Sequence, residues 1–149
     1  MRIFKILLVA LPFMLMACSK GGDSPTPTPP PPVVVAPEAD IAFKVEIPVG
    51  TDVDYNKIYG AIGGSQAINV NITSTLPTDG VTIDVKVTKD AAENTVIFTN
   101  NFTSKTAASN AVTINNLSPG VLSTVKVTVT SKTKSTNTAI RTFKIAAKS

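Results

Sequence analysis

The sequence of 149 residues contains one cysteine, Cys18, and no histidine. A thiolate is a good nucleophile that can be alkylated, and without a second cysteine Cys18 has no partner for an intramolecular disulfide. The lack of histidine removes the commonest general base and the commonest zinc ligand. We therefore expect covalent chemistry at Cys18 as a modification of the thiol, and no cofactor.

A second group of polar side chains, at Asp52, Asp54 and Asn56, places three oxygen ligands at alternating positions, as a calcium-binding loop begins. Such a loop needs glycine at its sixth position and glutamate at its twelfth. The sequence has Lys57 and Gly63 there. We therefore predict no metal site and interpret the segment as a solvated loop.

The pair Ser123 and Lys126 has the Ser-x-x-Lys spacing of some serine nucleophiles and their bases. That pair works on a helix, whereas residues three apart on a strand point to opposite faces. No other side chain supplies a nucleophile with an adjacent base. We therefore predict no catalytic residues and a protein that is not an enzyme.

The two tyrosines, Tyr55 and Tyr59, lie close together in the sequence and close to Asp52 and Asp54. Aromatic rings with neighbouring carboxylates can stack on a sugar or anchor a protein partner, which makes these four residues the candidate ligand patch. The alternative is that at least one ring packs against the core with its hydroxyl outward.

The N-terminus has the pattern of an export signal. Arg2 and Lys5 precede eleven uncharged residues, 6–16, and the small residue Ala17 follows. Eleven or twelve apolar residues rise only about 18 Å as a helix, well short of the roughly 30 Å hydrocarbon core, so a permanent membrane span is not expected. Residues 1–17 are predicted to be a removable signal peptide.

The sequence Leu15-Met16-Ala17-Cys18 resembles the lipobox of bacterial lipoproteins. This resemblance implies cleavage between Ala17 and Cys18, acylation of Cys18, and a membrane partner reached through the lipid anchor. The following residues, 19–23, resemble the export tag of lipoproteins displayed on the outer face of some Gram-negative outer membranes. The expected location is therefore the outer membrane, lipid-anchored and surface-exposed, with a periplasm-facing anchor as the alternative.

Residues 18–37 form the predicted lipidated cysteine and linker. Residues 25–32 alternate proline and threonine and then run into four prolines, and Pro37 closes the stretch. Such a segment favours extended polyproline II, which at roughly 3.1 Å per residue holds the following domain up to about 60 Å from the lipid.

From residue 38 onward the hydrophobic residues recur with a period of two, which predicts half-buried strands. Seven such runs begin at Ile41, Ile68, Val81, Val96, Val112, Val125 and Phe143. Turn-forming segments such as Pro77–Gly80 and Lys89–Ala92 separate them, and no segment shows a helical period. We therefore predict an all-β domain over 38–149, a seven-stranded antiparallel β-sandwich whose strand edges are protected by lysines such as Lys86 and Lys144.

The segment from Leu117 to Val127 resembles the Leu-x-Pro-Gly-Thr-x-Tyr-x-Val-x-Val stretch of fibronectin type III domains. In this chain Ser123 stands at the position of the corner tyrosine, and tryptophan is absent. The resemblance implies a fibronectin type III or related immunoglobulin-like fold.

Charge is unevenly placed along the chain. Residues 38–95 carry nine acidic side chains and four lysines, whereas residues 96–149 carry seven basic side chains and no acid. The basic residues are spread over strands with few aromatic neighbours, so nucleic acid is not an expected partner. The sequence favours a lipid-anchored binding or accessory module for protein or glycan. The alternatives are a structural spacer or envelope component without a ligand and, more remotely, an enzyme.

Overall fold

The computed structural model describes residues 36–47 and 51–148. The predicted signal peptide, Cys18 and most of the linker, residues 1–35, lie outside the described residues. Eight strands form within these described residues: β1 (Phe43–Glu46), β2 (Ile58–Ala61), β3 (Gln66–Ile72), β4 (Val81–Lys89), β5 (Ala92–Ser104), β6 (Asn110–Ile114), β7 (Leu122–Ser131) and β8 (Thr138–Ala147). Over this range the structure contains no helix long and apolar enough to cross a membrane.

The strands form two sheets. A three-stranded sheet has the order β1-β3-β6, and a five-stranded sheet has the order β2-β8-β7-β4-β5. The prediction of an all-β domain is confirmed, but the prediction of seven strands is wrong. The additional strand is β2, which is short and lacks the alternation of apolar and polar residues that marks the other strands.

The expectation that every pair would be antiparallel is also wrong, because β2 runs parallel to β8. Parallel neighbours that follow each other in the chain need a long crossover connection, usually a helix. Here the connection between β2 and β8 consists of the other strands of both sheets, so no helix is required. Local sequence could not reveal this pairing because its partners are about 85 residues apart.

One hydrophobic core receives side chains from both sheets. From Val81 to Val87 in β4 and from Ser123 to Val129 in β7 every second residue is fully buried, and Phe43 from β1 and Phe143 from β8 are among the largest buried side chains. Fully burying such aliphatic or aromatic side chains contributes about 1.5 to 3 kcal/mol each before conformational entropy is subtracted. The alternation of apolar and polar residues in the sequence thus corresponds to the alternation of core-facing and solvent-facing side chains.

The edges of the sheets lie elsewhere than expected. The edge strands are β1 and β6 in the smaller sheet and β2 and β5 in the larger sheet. The prediction that Lys86 and Lys144 protect edges is therefore wrong, because they lie on the interior strands β4 and β8. Lys144 forms an ion pair with Asp90, with 2.9 Å between Nζ and Oδ2. Sheet order depends on long-range pairing, which local charge patterns do not encode.

A side-chain clamp fixes the residues that lead from the linker into the domain. Asn137, buried in the turn between β7 and β8, accepts a hydrogen bond from the Ile41 backbone N–H at 2.9 Å. Its amide nitrogen donates to Glu38 Oε1 at 2.6 Å and to the Ala39 carbonyl at 2.9 Å. The second Glu38 oxygen accepts from the Ser131 hydroxyl at 3.0 Å. The start of the domain is thus held against the β7–β8 turn.

Candidate binding site

The four residues of the predicted ligand patch lie in and beside the segment 52–57, where the chain passes from the smaller sheet to the larger one. This segment follows β1, an edge of the first sheet, and precedes β2, an edge of the second. Asp52 Oδ1 accepts a hydrogen bond from the Val45 N–H at 3.0 Å, and the Val53 N–H donates to the Val45 carbonyl at 2.8 Å. Val53 is buried in the core, so the segment is attached to β1 at its beginning.

A tight turn follows at Asp54. Its Oδ1 accepts the Asn56 N–H at 2.9 Å, and its carbonyl accepts the Lys57 N–H at 3.1 Å. An aspartate side chain that bonds its own backbone two residues on is a common way to stabilise a turn. The Asp54 N–H donates to the hydroxyl oxygen of Tyr59 at 2.7 Å, which joins the turn to β2.

Tyr59 is half-buried and packs against the core. Its ring meets the ring of Phe143 edge-on, with 6.1 Å between the centroids and an interplanar angle of 90°. This T-shaped arrangement is favoured by the ring quadrupoles. With the ring on Phe143 and the hydroxyl on the Asp54 N–H, Tyr59 supports the segment and offers little surface to a ligand.

Tyr55 is the exposed ring of the group, with 43% of its surface accessible. The Arg141 guanidinium lies 5.3 Å from the Tyr55 ring centroid and 5.9 Å from that of Phe43. Both distances are within the roughly 6 Å range of cation–π attraction. The Arg141 Nε also donates to the Phe43 carbonyl at 3.5 Å. The exposed ring is therefore seated on a cation that is itself fixed to β1.

The electrostatics of Tyr55 reflect this partial burial. Burial is the main cause that raises the pKa of the Tyr55 phenol above its ordinary value, the Arg141 guanidinium opposes the rise, and the Asp52 carboxylate adds to it. The phenol is therefore neutral at physiological pH and can both donate and accept a hydrogen bond.

Sequence reasoning did not identify Arg141 as part of this group. Alternate residues of β8 face the core, and Phe143 and Ile145 are both buried. Arg141 has the same parity as these residues, so a cation stands where the pattern calls for an inward-facing apolar side chain. The sequence therefore contained a signal that Arg141 is unusual. It did not reveal that the guanidinium lies near the rings of Tyr55 and Phe43.

The two residues of the Ser-x-x-Lys pair lie on opposite faces of β7. Ser123 is fully buried on β7, whereas Lys126 is exposed on the opposite face of the same strand. Within the described ranges no three His, Cys, Asp or Glu side chains converge in a way that could hold a metal ion. The carboxylates of Asp52 and Asp54 each accept a backbone N–H, as described above. The arrangement suits a stiff recognition surface built around Tyr55.

Two open depressions occur on the solvent faces of the sheets, away from Tyr55. One of about 460 Å³ lies on the smaller sheet and is lined by residues such as Ala67, Asn69 and Ala111. The other, of about 230 Å³, lies on the larger sheet between Lys86 and Lys126 and is lined with threonines. Neither depression includes a residue of the predicted patch.

Comparison with known proteins gives no relative. No protein-family profile, curated protein or solved structure matches this chain.

Proposed function

We propose that this protein is a lipid-anchored lipoprotein of the bacterial cell envelope whose β-sandwich binds a protein or glycan through Tyr55. The observation that carries the proposal is the exposed Tyr55 ring held over the Arg141 guanidinium. An aromatic ring fixed in one orientation before binding loses little conformational entropy when it contacts a ligand. Tyrosines of this kind stack on sugars and serve as anchors in protein interfaces.

The scaffold supports this interpretation. Recognition residues are commonly carried by irregular segments positioned on a rigid framework. Here the segment is fixed at both ends, by Asp52 on Val45 and by the Asp54 N–H on Tyr59. Tyr55 therefore projects from a turn whose backbone has few alternative conformations.

We also propose an immunoglobulin-like assignment for the sandwich. In such domains a sheet of A, B and E strands packs on a sheet that contains C, F and G, and some members extend the second sheet by a C′ strand. The order β1-β3-β6 corresponds to the first sheet, and β8-β7-β4-β5 corresponds to the second with its extension. The sheet order supports the immunoglobulin-like assignment. The Leu117–Val127 segment by itself supports only the broader set of fibronectin type III and related domains.

The membrane part of the proposal depends on Cys18. Each buried methylene of an acyl chain adds about 0.8 kcal/mol, and two or more chains hold a protein stably on a bilayer. The Asn137 clamp holds the chain at residues 38–41, directly after the proline-rich segment of the sequence. The proposed location is the outer membrane, with the domain on the cell surface.

Binding is tested with a glycan array and an envelope-protein array probed with the domain 36–149. We expect wild type to bind at least one ligand, Tyr55→Ala to lose at least tenfold in affinity, and Tyr55→Phe to retain most of it. Ile62→Ala is the matched control, because Ile62 is 81% exposed on a neighbouring turn. Equal binding by wild type and Tyr55→Ala would refute the role of Tyr55.

Anchoring is tested separately in cells that express the full chain. Mass spectrometry of the protein extracted from membranes should find a mature chain that begins at an acylated Cys18, and Cys18→Ala should release the protein from the membrane fraction. Protease added to intact cells should digest the domain. Digestion only after the outer membrane is broken would place the domain in the periplasm.

A structural spacer without a ligand is the second candidate, and one observation favours it. Three of the four patch residues, Asp52, Asp54 and Tyr59, make hydrogen bonds that hold the segment together. If neither array yields a ligand although the domain is folded and displayed, the spacer becomes the better explanation.

A further inference from the structure

The longest strand of the domain is also an edge strand. β5 has 13 residues and lies at one end of the five-stranded sheet, and among the described strands it is hydrogen-bonded to β4 alone. Proteins usually protect such edges with lysine, proline, short length or a covering segment, because an open edge pairs with other strands. The ten residues from Thr95 to Ser104 contain no charge and no proline. The usual sequence devices against strand addition are therefore missing from most of this edge.

The edge is partly covered only near its beginning. A β-bulge leaves Ile97 between the pairs Thr88↔Val96 and Val87↔Phe98, and Asn116 Nδ2 donates to the Ile97 carbonyl at 3.3 Å. Beyond the bulge, the register with β4 continues without interruption to Ser104. In the described part of the chain no further side chain bonds to the backbone between this bulge and Ser104. At about 3.3 Å per residue, roughly 20 Å of regular edge has no partner strand in residues 36–47 and 51–148.

We propose that this edge joins two copies of the chain, with β5 of one copy antiparallel to β5 of the other. A two-fold axis perpendicular to the sheet keeps the solvent face of both copies on the same side, so residues of equal parity must face each other. A register centred on Asn101 satisfies this condition and sets Thr99 opposite Thr103 of the second copy. The result is one continuous ten-stranded sheet across the dimer.

The charge pattern is the reason for choosing a second copy over another partner. A two-fold pairing sets a strand against its own sequence, so any charge near its centre meets the same charge, which is destabilising. Thr95–Ser104 is uncharged and can face itself without this repulsion. A strand adapted to a charged partner would carry complementary charges, and this segment has none.

The pairing buries less surface than a standard protein interface, so we expect a dissociation constant between micromolar and millimolar. The inference does not depend on the proposed anchor. Tethering of the chains to one membrane surface would nevertheless raise their effective concentration and favour the dimer.

A cysteine cross-link tests the register. All core residues of the described structure lie between Ile41 and Ala147, so the domain 36–149 contains its own core and is the unit to use. This domain has no cysteine. Directly opposed residues in an antiparallel pair have Cα atoms about 4.5–5.5 Å apart, which suits a disulfide. Asn101→Cys should therefore oxidise to a covalent dimer at least tenfold faster than Thr136→Cys, whose residue lies exposed in the β7–β8 turn.

A charge at the edge tests the interface without a cross-link. In sedimentation equilibrium, wild type should show a concentration-dependent dimer. Thr103→Lys should weaken the dimer more than tenfold, and Thr136→Lys, which adds the same charge elsewhere, should leave it unchanged. Circular dichroism of each variant checks that the domain is still folded.

Three outcomes would overturn the proposal. One is a wild-type domain that stays monomeric at millimolar concentration, and another is equal rates of oxidation for Asn101→Cys and Thr136→Cys. The third is a dimer of 36–149 that is absent when the chain begins at Ser19. In that case the preceding segment of the same chain would occupy the edge instead of a second copy.

Discussion

Replacing Asn137 by alanine should destabilise the domain far more than an ordinary surface substitution. Asn137 is 8% exposed, and its side chain makes three hydrogen bonds to the segment 38–41. The substitution leaves the N–H of the buried Ile41 without a partner, at a cost of about 1–3 kcal/mol. The bonds to Glu38 and Ala39 are partly replaced by water because these residues are accessible. We therefore expect a total loss of about 2–4 kcal/mol in the free energy of unfolding.

At about 4 °C per kcal/mol for a domain of this size, the melting temperature should fall by roughly 8–16 °C. Urea unfolding followed by circular dichroism gives the free energy, and calorimetry gives the melting temperature. Thr136→Ala is the matched control, since Thr136 is exposed in the same turn. Its effect should stay within about 0.5 kcal/mol. If Asn137→Ala loses no more stability than this control, the clamp does not hold the start of the domain.

Four further substitutions test particular local arguments. Gly80→Ala should cost about 3 kcal/mol or more and reduce soluble yield, because Gly80 has a φ of +81° and an added Cβ would collide with the Ser104 carbonyl oxygen. Gly63→Ala, at a φ of +65° with open space around it, should cost only about 1 kcal/mol by the same urea assay. Ser123→Ala should be neutral or stabilising by up to about 1 kcal/mol, because the buried Ser123 hydroxyl has no hydrogen-bond partner among the described residues; a clear loss of stability would reveal one. Hydrogen bonds from Lys144 and then a threonine hydroxyl lower the pKa of Asp90, so its contribution to stability is present above the unfolded carboxylate pKa and is lost as pH falls through the folded value. The difference in urea midpoint between wild type and Asp90→Asn should therefore shrink at acidic pH, and a constant difference would contradict this linkage.

Local sequence predicted those features of the fold that depend on local physics. Alternation of apolar and polar residues located seven of the eight strands, because burial on one face of a sheet imposes a period of two. The turn at Asp90 was also predicted, and it joins β4 to β5 through two residues. The sequence did not predict β2, because its four residues, Ile58–Ala61, show no alternation of apolar and polar side chains. This short edge strand packs the Tyr59 ring against the core, and such a contact does not require the alternation.

Sheet order and the composition of the site could not be predicted in the same way. In the sequence, Lys86 has the pattern expected of a lysine that protects an edge strand. It lies instead on the interior strand β4, where a solvent-facing residue also alternates with apolar neighbours. Tyr55 and Tyr59 were recognised as a pair, yet their different environments depend on Arg141 and Phe143, which are more than 80 residues away in the sequence. Contacts between strands that are remote in the chain decide which ring is exposed.

The residues held by the Asn137 clamp and the segment that carries Tyr55 lie close together along the chain. Between the clamp at Ile41 and the segment that begins at Asp52 lie β1 and the connection that follows it. Any pull on the chain that precedes the domain would reach β1 early, and β1 makes only four pairs with β3. Asn137 bonds residues 38–41 to the β7–β8 turn ahead of β1, so such a pull is resisted there. Tyr55, in contact with Arg141 of β8, can then keep its orientation. Asn137→Ala should consequently raise hydrogen exchange at Ile41 first, and it should weaken ligand binding only when exchange at Val45 and Val53 rises as well.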